Sequence, residues 1–283
     1  MDGTTSFTLP APGGGEIHGL IDLPEGHGLR PAVIICHGFK GFMEWGFFPS
    51  LATLLCERGF VAVRFNFRGA GMLPGDELVS DARAFRDDTH SGELADLLAV
   101  LAAAAGEGRS IAPDHIDRGK LGLFGHSRGG AAAVLAAAHP SWRDRLCALV
   151  TWAAISRVDR YTPEQKRAWR KDGELPVVNA RTGQRLAMGV GLLDDLEACA
   201  AELDVLAAAG RHHLPWLIVH GTDDESVPAA EGAELARQAA SQHELLLIPG
   251  ASHTFGSRHP FAGPTPHLIQ ALNATQTWFR RHL

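Results

Sequence analysis

The stretch LGLFGHSRGG (residues 121–130) joins an apolar run to a serine that has glycines on both sides. The run over 120–125 has the composition of a β-strand buried on both faces, and the alanine-rich residues after the serine favour a helix. Gly125 and Gly129 complete the pattern G-x-S-x-G around Ser127. A glycine-rich turn without a chemical role is one interpretation. The order strand, turn and helix favours the other, a sharp turn that exposes a nucleophilic hydroxyl.

The composition suits a globular protein with a large core. The chain has 283 residues, of which 45% are hydrophobic, and a formal net charge of −6. This mildly acidic balance predicts that neither nucleic acid nor an anionic membrane surface is a partner. No apolar run reaches the roughly 18 residues of a membrane span, and the N-terminal stretch lacks the basic and apolar regions of a signal peptide. We therefore expect a cytoplasmic protein.

The cysteines and histidines lack the spacing of a cross-linked or metal-binding protein. Four scattered cysteines in mostly apolar surroundings are typical of reduced core residues. Three histidines flank motif glycines and are expected to fix loops by hydrogen bonds: His37, His126 and His220. The pair His212–His213 is expected at the surface. No zinc-ligand spacing and no nucleotide-binding glycine pattern is present, so we expect neither a metal nor a cofactor.

Apolar, β-branched runs alternate with helical segments along most of the chain. Strands are predicted at 5–9, 16–23, 31–38, 60–67, 120–125, 147–154, 215–221 and 243–250. Helices are predicted at 44–60, 87–105, 129–139, 229–240 and 265–282. This order predicts an α/β fold with a mostly parallel central sheet and helices on both faces.

One long segment interrupts the alternation. About 60 residues separate Ser156 from the strand near Leu217, far more than a crossover needs. We expect a helix, an irregular turn and a second helix that form a cap (157–211) on a core made of residues 1–156 and 212–283. A crossover helix with a long surface loop is the alternative.

Five glycine-containing motifs follow predicted strands, at the edge where such sheets bind ligands. They are HGFKG (37–41), FRGAG (67–71), GHSRGG (125–130), HGTDD (220–224) and GASHTF (250–255). With G-x-S-x-G between a strand and a helix, the chain resembles the α/β-hydrolase superfamily.

The resemblance implies a catalytic triad in the order Ser127, Asp224, His253. His253 lies in a small-residue loop after the last predicted strand, where the superfamily places its histidine. Asp224 matches the family pattern of His-Gly, two residues, then Asp, within LIVHGTDDESVP. Asp223 is the neighbour most easily confused with it, and Asp159 is an alternative acid that follows the preceding strand.

The resemblance also implies an oxyanion hole formed by two backbone N–H groups. One belongs to Phe39, in the loop after the third strand, and the other to Arg128, directly after the nucleophile. The Arg128 side chain is expected to pack or to pair with a carboxylate rather than to bind substrate.

The segment VIICHGFKGFMEWGFFPSLATLLCERGFVAVRFNFRGAG (33–71) is similar to the dienelactone-hydrolase-like and cinnamoyl or feruloyl esterase-like branch. Members of that branch often insert a small cap at the corresponding place. Dienelactone hydrolases proper use a cysteine nucleophile. The serine at position 127 therefore favours ordinary ester hydrolysis over the dienelactone reaction.

We expect a serine carboxylic-ester hydrolase that acts through an acyl-enzyme on small-molecule esters with small or aromatic acyl groups. Thr151, Trp152 and Trp169 are expected to line the acyl pocket, and core packing is the alternative for the tryptophans. A homodimer is left open.

Two other functions remain. A serine aminopeptidase or oligopeptidase-like enzyme would hold a substrate amine with carboxylates, for which the candidates are Glu174, Asp194 and Asp195. A non-catalytic binding protein is the second, although such proteins usually lose a triad residue and all three positions are filled here. Carbon–carbon bond hydrolysis and cofactor-free haloperoxidase chemistry would use the same triad.

Overall fold

A central eight-stranded sheet organises residues 3–283, which the computed structural model describes. The strand order is β1-β2-β4-β3-β5-β6-β9-β10. The β1–β2 and β2–β4 pairs are antiparallel, and the other pairs are parallel. The strands are β1 Thr4–Pro10, β2 Glu16–Asp22, β3 Arg30–Cys36, β4 Val61–Phe65, β5 Ile116–His126, β6 Leu146–Trp152, β9 Trp216–Gly221 and β10 His243–Ile248. The predicted mostly parallel α/β sheet is confirmed.

Helices cover both faces of this sheet, because the central strands are apolar on both sides. The helices of the core are α1 Phe48–Glu57, α2 Ala82–Arg86, α3 His90–Ala104, α4 Arg128–Ala138, α8 Ala229–Gln238 and α9 Pro266–His282. Helices α3, α4 and α8 contribute to one cluster of buried side chains, and α1 and α9 contribute to the other. No helix within the described residues combines the length and hydropathy of a membrane span.

The inserted segment contains a β-hairpin that the sequence prediction missed. Helix α5 (Pro163–Asp172) leads into β7 (Glu174–Val178) and β8 (Arg185–Gly189), which pair as a separate two-stranded sheet. Helices α6 (Gly191–Ala198) and α7 (Val205–Ala209) follow. The predicted irregular turn is wrong here. Along β7, exposed and partly buried residues alternate, and Asn179 begins the tight turn with its side chain accepting the Arg181 N–H.

His212 differs from its predicted surface position. Its side chain is buried and packs edge-on against the Trp216 ring at 5.1 Å between centroids. Burial, helped by the neighbouring His213, lowers the pKa of His212 to about 4, so the ring is neutral at pH 7.

Candidate active site

Ser127 occupies a strained turn between β5 and α4. Its backbone has φ 57° and ψ −120°, a conformation that L-residues rarely adopt. Such a conformation costs on the order of 1–3 kcal/mol of free energy. Residues 121–126 and 128–130 are buried, and Ser127 alone in this stretch is partly exposed. A Cβ at Gly129 would lie 2.2 Å from the carbonyl oxygen of His37. The glycine is therefore required for the turn to sit against the loop after β3.

His253 and Asp224 form the second part of the site. Asp224 follows β9, and its Oδ2 accepts a hydrogen bond from His253 Nδ1 at 2.8 Å. Its Oδ1 accepts the N–H groups of Ser226 at 2.9 Å and Val227 at 2.8 Å. Burial alone would raise the pKa of Asp224. Hydrogen bonds from His220, His253 and the Val227 N–H outweigh burial and hold the pKa well below its usual range.

The two alternative acids lie elsewhere. Asp223 is exposed, and its carboxylate accepts a hydrogen bond from the Thr222 hydroxyl. Asp159 forms an ion pair with Lys166. Of the three aspartates considered from the sequence, the structure brings Asp224 to His253.

Neighbouring histidines fix the loops of the site, as the sequence predicts. His126 hydrogen-bonds through Nε2 to the His253 carbonyl oxygen at 3.0 Å. Burial, with the nearby His253, lowers the pKa of His126 to about 3, so its neutral ring donates this bond. His37 accepts the Phe67 N–H through Nε2 at 3.1 Å, and His220 Nε2 bonds to the Val227 carbonyl oxygen at 2.9 Å.

The loop after β3 approaches Ser127 closely. A Cβ at Gly38 would lie 2.9 Å from Cβ of Ser127. Phe39 follows this glycine, and Arg128 is the first residue of α4, where a helix leaves its N–H groups without intrahelical partners. Phe39 and Arg128 line the same cavity as Ser127.

The Arg128 side chain pairs with carboxylates, as expected. Its Nε donates to Glu93 and its Nη2 to Asp88, each at 2.6 Å, in a nearly buried cluster. Burial raises the pKa of Glu93, and the Arg128 guanidinium opposes that shift. The cluster ties the first turn of α4 to α3 and to the residues before it.

Two cavities meet at Ser127 and His253. The Tyr161 cavity, of about 310 Å³, is lined by Phe39, Lys40, His90, Ser127, Arg128, Ile155, Val158, Arg160, Tyr161, Ser226, Val227 and His253. The Trp45 cavity, of about 190 Å³, is lined by Gly38, Phe39, Lys40, Gly41, Trp45, Phe48, His126, Ser127, Asn179, Ala180, Arg181, His253 and Thr254. Residues of the inserted segment line each cavity.

The three residues predicted to form the acyl pocket lie in the core instead. The Thr151 hydroxyl accepts the Trp216 Nε1–H at 3.0 Å. Trp152 is fully buried, and its Nε1–H donates to the Thr275 hydroxyl at 2.9 Å. Trp169 donates to the Met188 carbonyl oxygen at 2.8 Å, which ties α5 to β8. None of the three lines either cavity, so this part of the sequence prediction is corrected.

Sequence reasoning missed Lys40, His90 and Tyr161 as lining residues. Lys40 lies inside the motif HGFKG and could have been found there. His90 and Tyr161 follow segments without a motif, so only the fold brings them to the site. Within residues 3–283, no group of three His, Cys, Asp or Glu side chains is arranged to hold a metal ion.

Comparisons with known proteins agree with this architecture. The chain is 26% identical over 232 residues to the 2,6-dihydropseudooxynicotine hydrolase of Paenarthrobacter nicotinovorans, an alignment that covers 81% of this chain and 53% of that protein. Est1E from Butyrivibrio proteoclasticus, solved with bound ferulic acid, has a TM-score of 0.71 at 24% identity, covering 94% of this chain and 95% of that one.

A dienelactone hydrolase from Anabaena variabilis has a TM-score of 0.64 at 19% identity, covering 99% of each chain. The profile of the alpha/beta hydrolase family matches residues 33–263, which span all the motifs of the site. The chain belongs to the alpha/beta hydrolase family.

Proposed function

We propose that the protein is a serine carboxylic-ester hydrolase that works through an acyl-enzyme on esters with small or aromatic acyl groups. The hydrogen bond of 2.8 Å between His253 Nδ1 and Asp224 Oδ2 carries the proposal. It fixes the tautomer in which Nε2 can accept a proton. Ser127 and His253 line both cavities, so the nucleophile and base face the same space.

In the proposed reaction, His253 takes the Ser127 proton as the hydroxyl oxygen attacks the ester carbonyl. The depressed pKa of Asp224 keeps its carboxylate charged, and that charge stabilises the imidazolium that forms. His253 then protonates the leaving alcohol. A water molecule, deprotonated by the same histidine, attacks the acyl-enzyme and releases the acid.

The N–H groups of Phe39 and Arg128 are the proposed donors to the oxyanion. Two such donors act on charge that develops only in the transition state, and losing one costs about 10²–10³ in kcat. The close approach of Gly38 to Ser127 supports this placement of the Phe39 loop.

The size and lining of the cavities support small or aromatic acyl groups. Trp45, Phe48 and Phe39 give the Trp45 cavity aromatic walls, and its volume of about 190 Å³ excludes long alkyl chains unless they extend into solvent. The ferulic acid bound by Est1E, a protein of the same fold, is an aromatic acid.

The cavities do not favour a peptidase. Glu174 contacts Arg86, Asp194 pairs with Arg170, and Asp195 accepts hydrogen bonds from Ser91. None of these carboxylates lines either cavity, so none is placed to hold a substrate amine.

The test is hydrolysis of 4-nitrophenyl esters from acetate to palmitate, with methyl ferulate and an alanyl-arylamide, by the wild type and Ser127→Ala. We expect turnover of short and aromatic esters that falls by several orders of magnitude in the variant. Full activity in Ser127→Ala, or a preference for palmitate, would contradict the proposal. Turnover of the arylamide alone would indicate a peptidase.

A further inference from the structure

Lys40 occupies an unusual place beside the proposed oxyanion hole. It follows Phe39 directly, adopts a left-handed backbone with φ 59°, and lines both cavities. A non-glycine residue in this region is strained, and a glycine would relieve the strain. Loop geometry alone therefore does not explain a lysine at this position.

The arginines that line the cavities have carboxylate partners. Arg128 pairs with Asp88 and Glu93. Arg160 pairs with Glu231 at 2.7 Å, and Arg181 with Glu77 at 3.5 Å. Lys40 differs, since no carboxylate among residues 3–283 lies within 4 Å of its Nζ. The contacts of this ammonium are the Val178 carbonyl oxygen at 3.5 Å and the face of the Phe39 ring at 5.6 Å.

The carboxylates that pair with these arginines do not line the cavities. Within the described chain, no aspartate or glutamate lines the Tyr161 cavity or the Trp45 cavity. The Tyr161 cavity therefore presents Lys40, Arg128 and Arg160 alongside apolar side chains. An ammonium with no counter-charge beside an acid-free cavity favours an anion there.

We propose that the substrate is an ester that carries a carboxylate, and that Lys40 binds this carboxylate beside the scissile bond. The inference rests on the proposed esterase function and narrows its substrate class. A lysine ammonium binds a carboxylate through a charge-assisted hydrogen bond, which a neutral group of the same shape cannot replace.

The test uses pairs of esters that differ in charge and hardly in shape. Monomethyl terephthalate and methyl 4-carbamoylbenzoate carry the carboxylate and its neutral carboxamide counterpart on the acyl side. Carboxymethyl acetate and carbamoylmethyl acetate carry these groups on the alcohol side. The product acids are quantified by chromatography, and the readout is the ratio of kcat/KM for the carboxylate to kcat/KM for the carboxamide.

We expect a ratio of at least about 10 in one pair, since hydrogen bonds to charged groups contribute roughly 10-fold or more. Lys40→Met lowers this ratio about 10-fold, and Lys40→Arg restores most of it. Lys120→Met is the matched control. Lys120 is exposed on β5 outside both cavities, so its loss leaves the ratio unchanged.

The inference is overturned if the wild-type ratio of kcat/KM is near 1 in both pairs while the esters that carry a carboxamide are hydrolysed in a Ser127-dependent way. The esterase proposal would then still stand. If no ester is turned over, the esterase proposal fails, and calorimetric binding of all four esters to Ser127→Ala decides the inference. The inference is supported if a carboxylate ester binds ten times more tightly than its carboxamide counterpart and if adding Lys40→Met removes this difference. Equal binding of each carboxylate and its carboxamide overturns it.

Discussion

An alanine at position 38 would bring a single methyl group against the proposed catalytic centre. Its Cβ would lie 2.9 Å from Cβ of Ser127, 3.1 Å from the His126 carbonyl oxygen and 3.3 Å from His126 Nδ1. Carbon atoms in contact prefer about 3.5–4.0 Å, so the Phe39 loop or the serine must move by about 0.5–1 Å. Gly38 and His126 are buried, which limits how far the loop and the turn can move apart.

That displacement acts on the proposed oxyanion donor Phe39 and the proposed nucleophile Ser127 together. Loss of one donor costs about 10²–10³ in kcat, and a misplacement near 1 Å costs about 10². We expect Gly38→Ala to lower kcat on the best 4-nitrophenyl ester about 100-fold. Overpacking should reduce the free energy of unfolding by about 1–3 kcal/mol.

Steady-state kinetics and urea unfolding of the same preparations measure both effects. Gly191→Ala is the matched control, because a Cβ at that glycine meets no atom within 4 Å. Its kcat should equal that of the wild type. A folded Gly38→Ala enzyme with kcat within threefold of the wild type would refute the proposed position of the Phe39 loop.

Three further predictions follow from single side chains. Asp224→Asn should lower kcat by about 10²–10⁴ with little change in KM, because the amide favours the wrong His253 tautomer, and wild-type kcat in this variant would exclude Asp224 as the acid. Thr151→Val should lower the free energy of unfolding by about 1–3 kcal/mol, since Trp216 Nε1–H loses its acceptor. The preference of this variant among esters of different acyl length should equal that of the wild type. A changed preference would mean that Thr151 lies in the substrate pocket. His212→Phe should gain stability relative to the wild type as the pH falls. The folded pKa of about 4 lies below the ordinary value of 6.5, so the unfolded chain binds the proton first and the wild type loses about 1.4 kcal/mol per pH unit between these values. Urea unfolding at pH 7, 6 and 5 measures the free energy of unfolding of both proteins. If the difference between them does not change with pH, the buried neutral His212 ring is contradicted.

Periodicity and motif context predicted most of the core, because both report local chemistry. Residues 121–125 of the predicted strand 120–125 are buried within β5, and Lys120 is exposed. The glycines around Ser127 are required by contacts of 2.2 and 2.3 Å that any side chain would make. Asp224 could be preferred over Asp223 by its spacing from His220, and the hydrogen bond to His253 agrees with that choice.

The substrate cavities were harder to predict, since burial is a property of the whole fold. Trp152 and Trp169 have the chemistry of pocket walls, yet their indole N–H groups find partners inside the core and the cap. Tyr161 lies just before α5, lines a cavity and packs edge-on against Trp169 of that helix, a tertiary contact that no local pattern encodes. The β7–β8 hairpin escaped prediction because its strands are short, at 5 residues each, and lack a continuous apolar run.

The ion pairs of Arg128 with Asp88 and Glu93 bear on which positions tolerate substitution. The backbone N–H of Arg128 is a proposed oxyanion donor, while the side chain links α4 to α3, so a substitution at position 128 would disturb folding. Substitutions in the inserted segment, whose Tyr161, Asn179 and Arg181 line the cavities, would change the cavity walls without removing these ion pairs. For the proposed esterase, we therefore expect the substrate preference to be adjustable through the inserted segment, with the turn around Ser127 left intact.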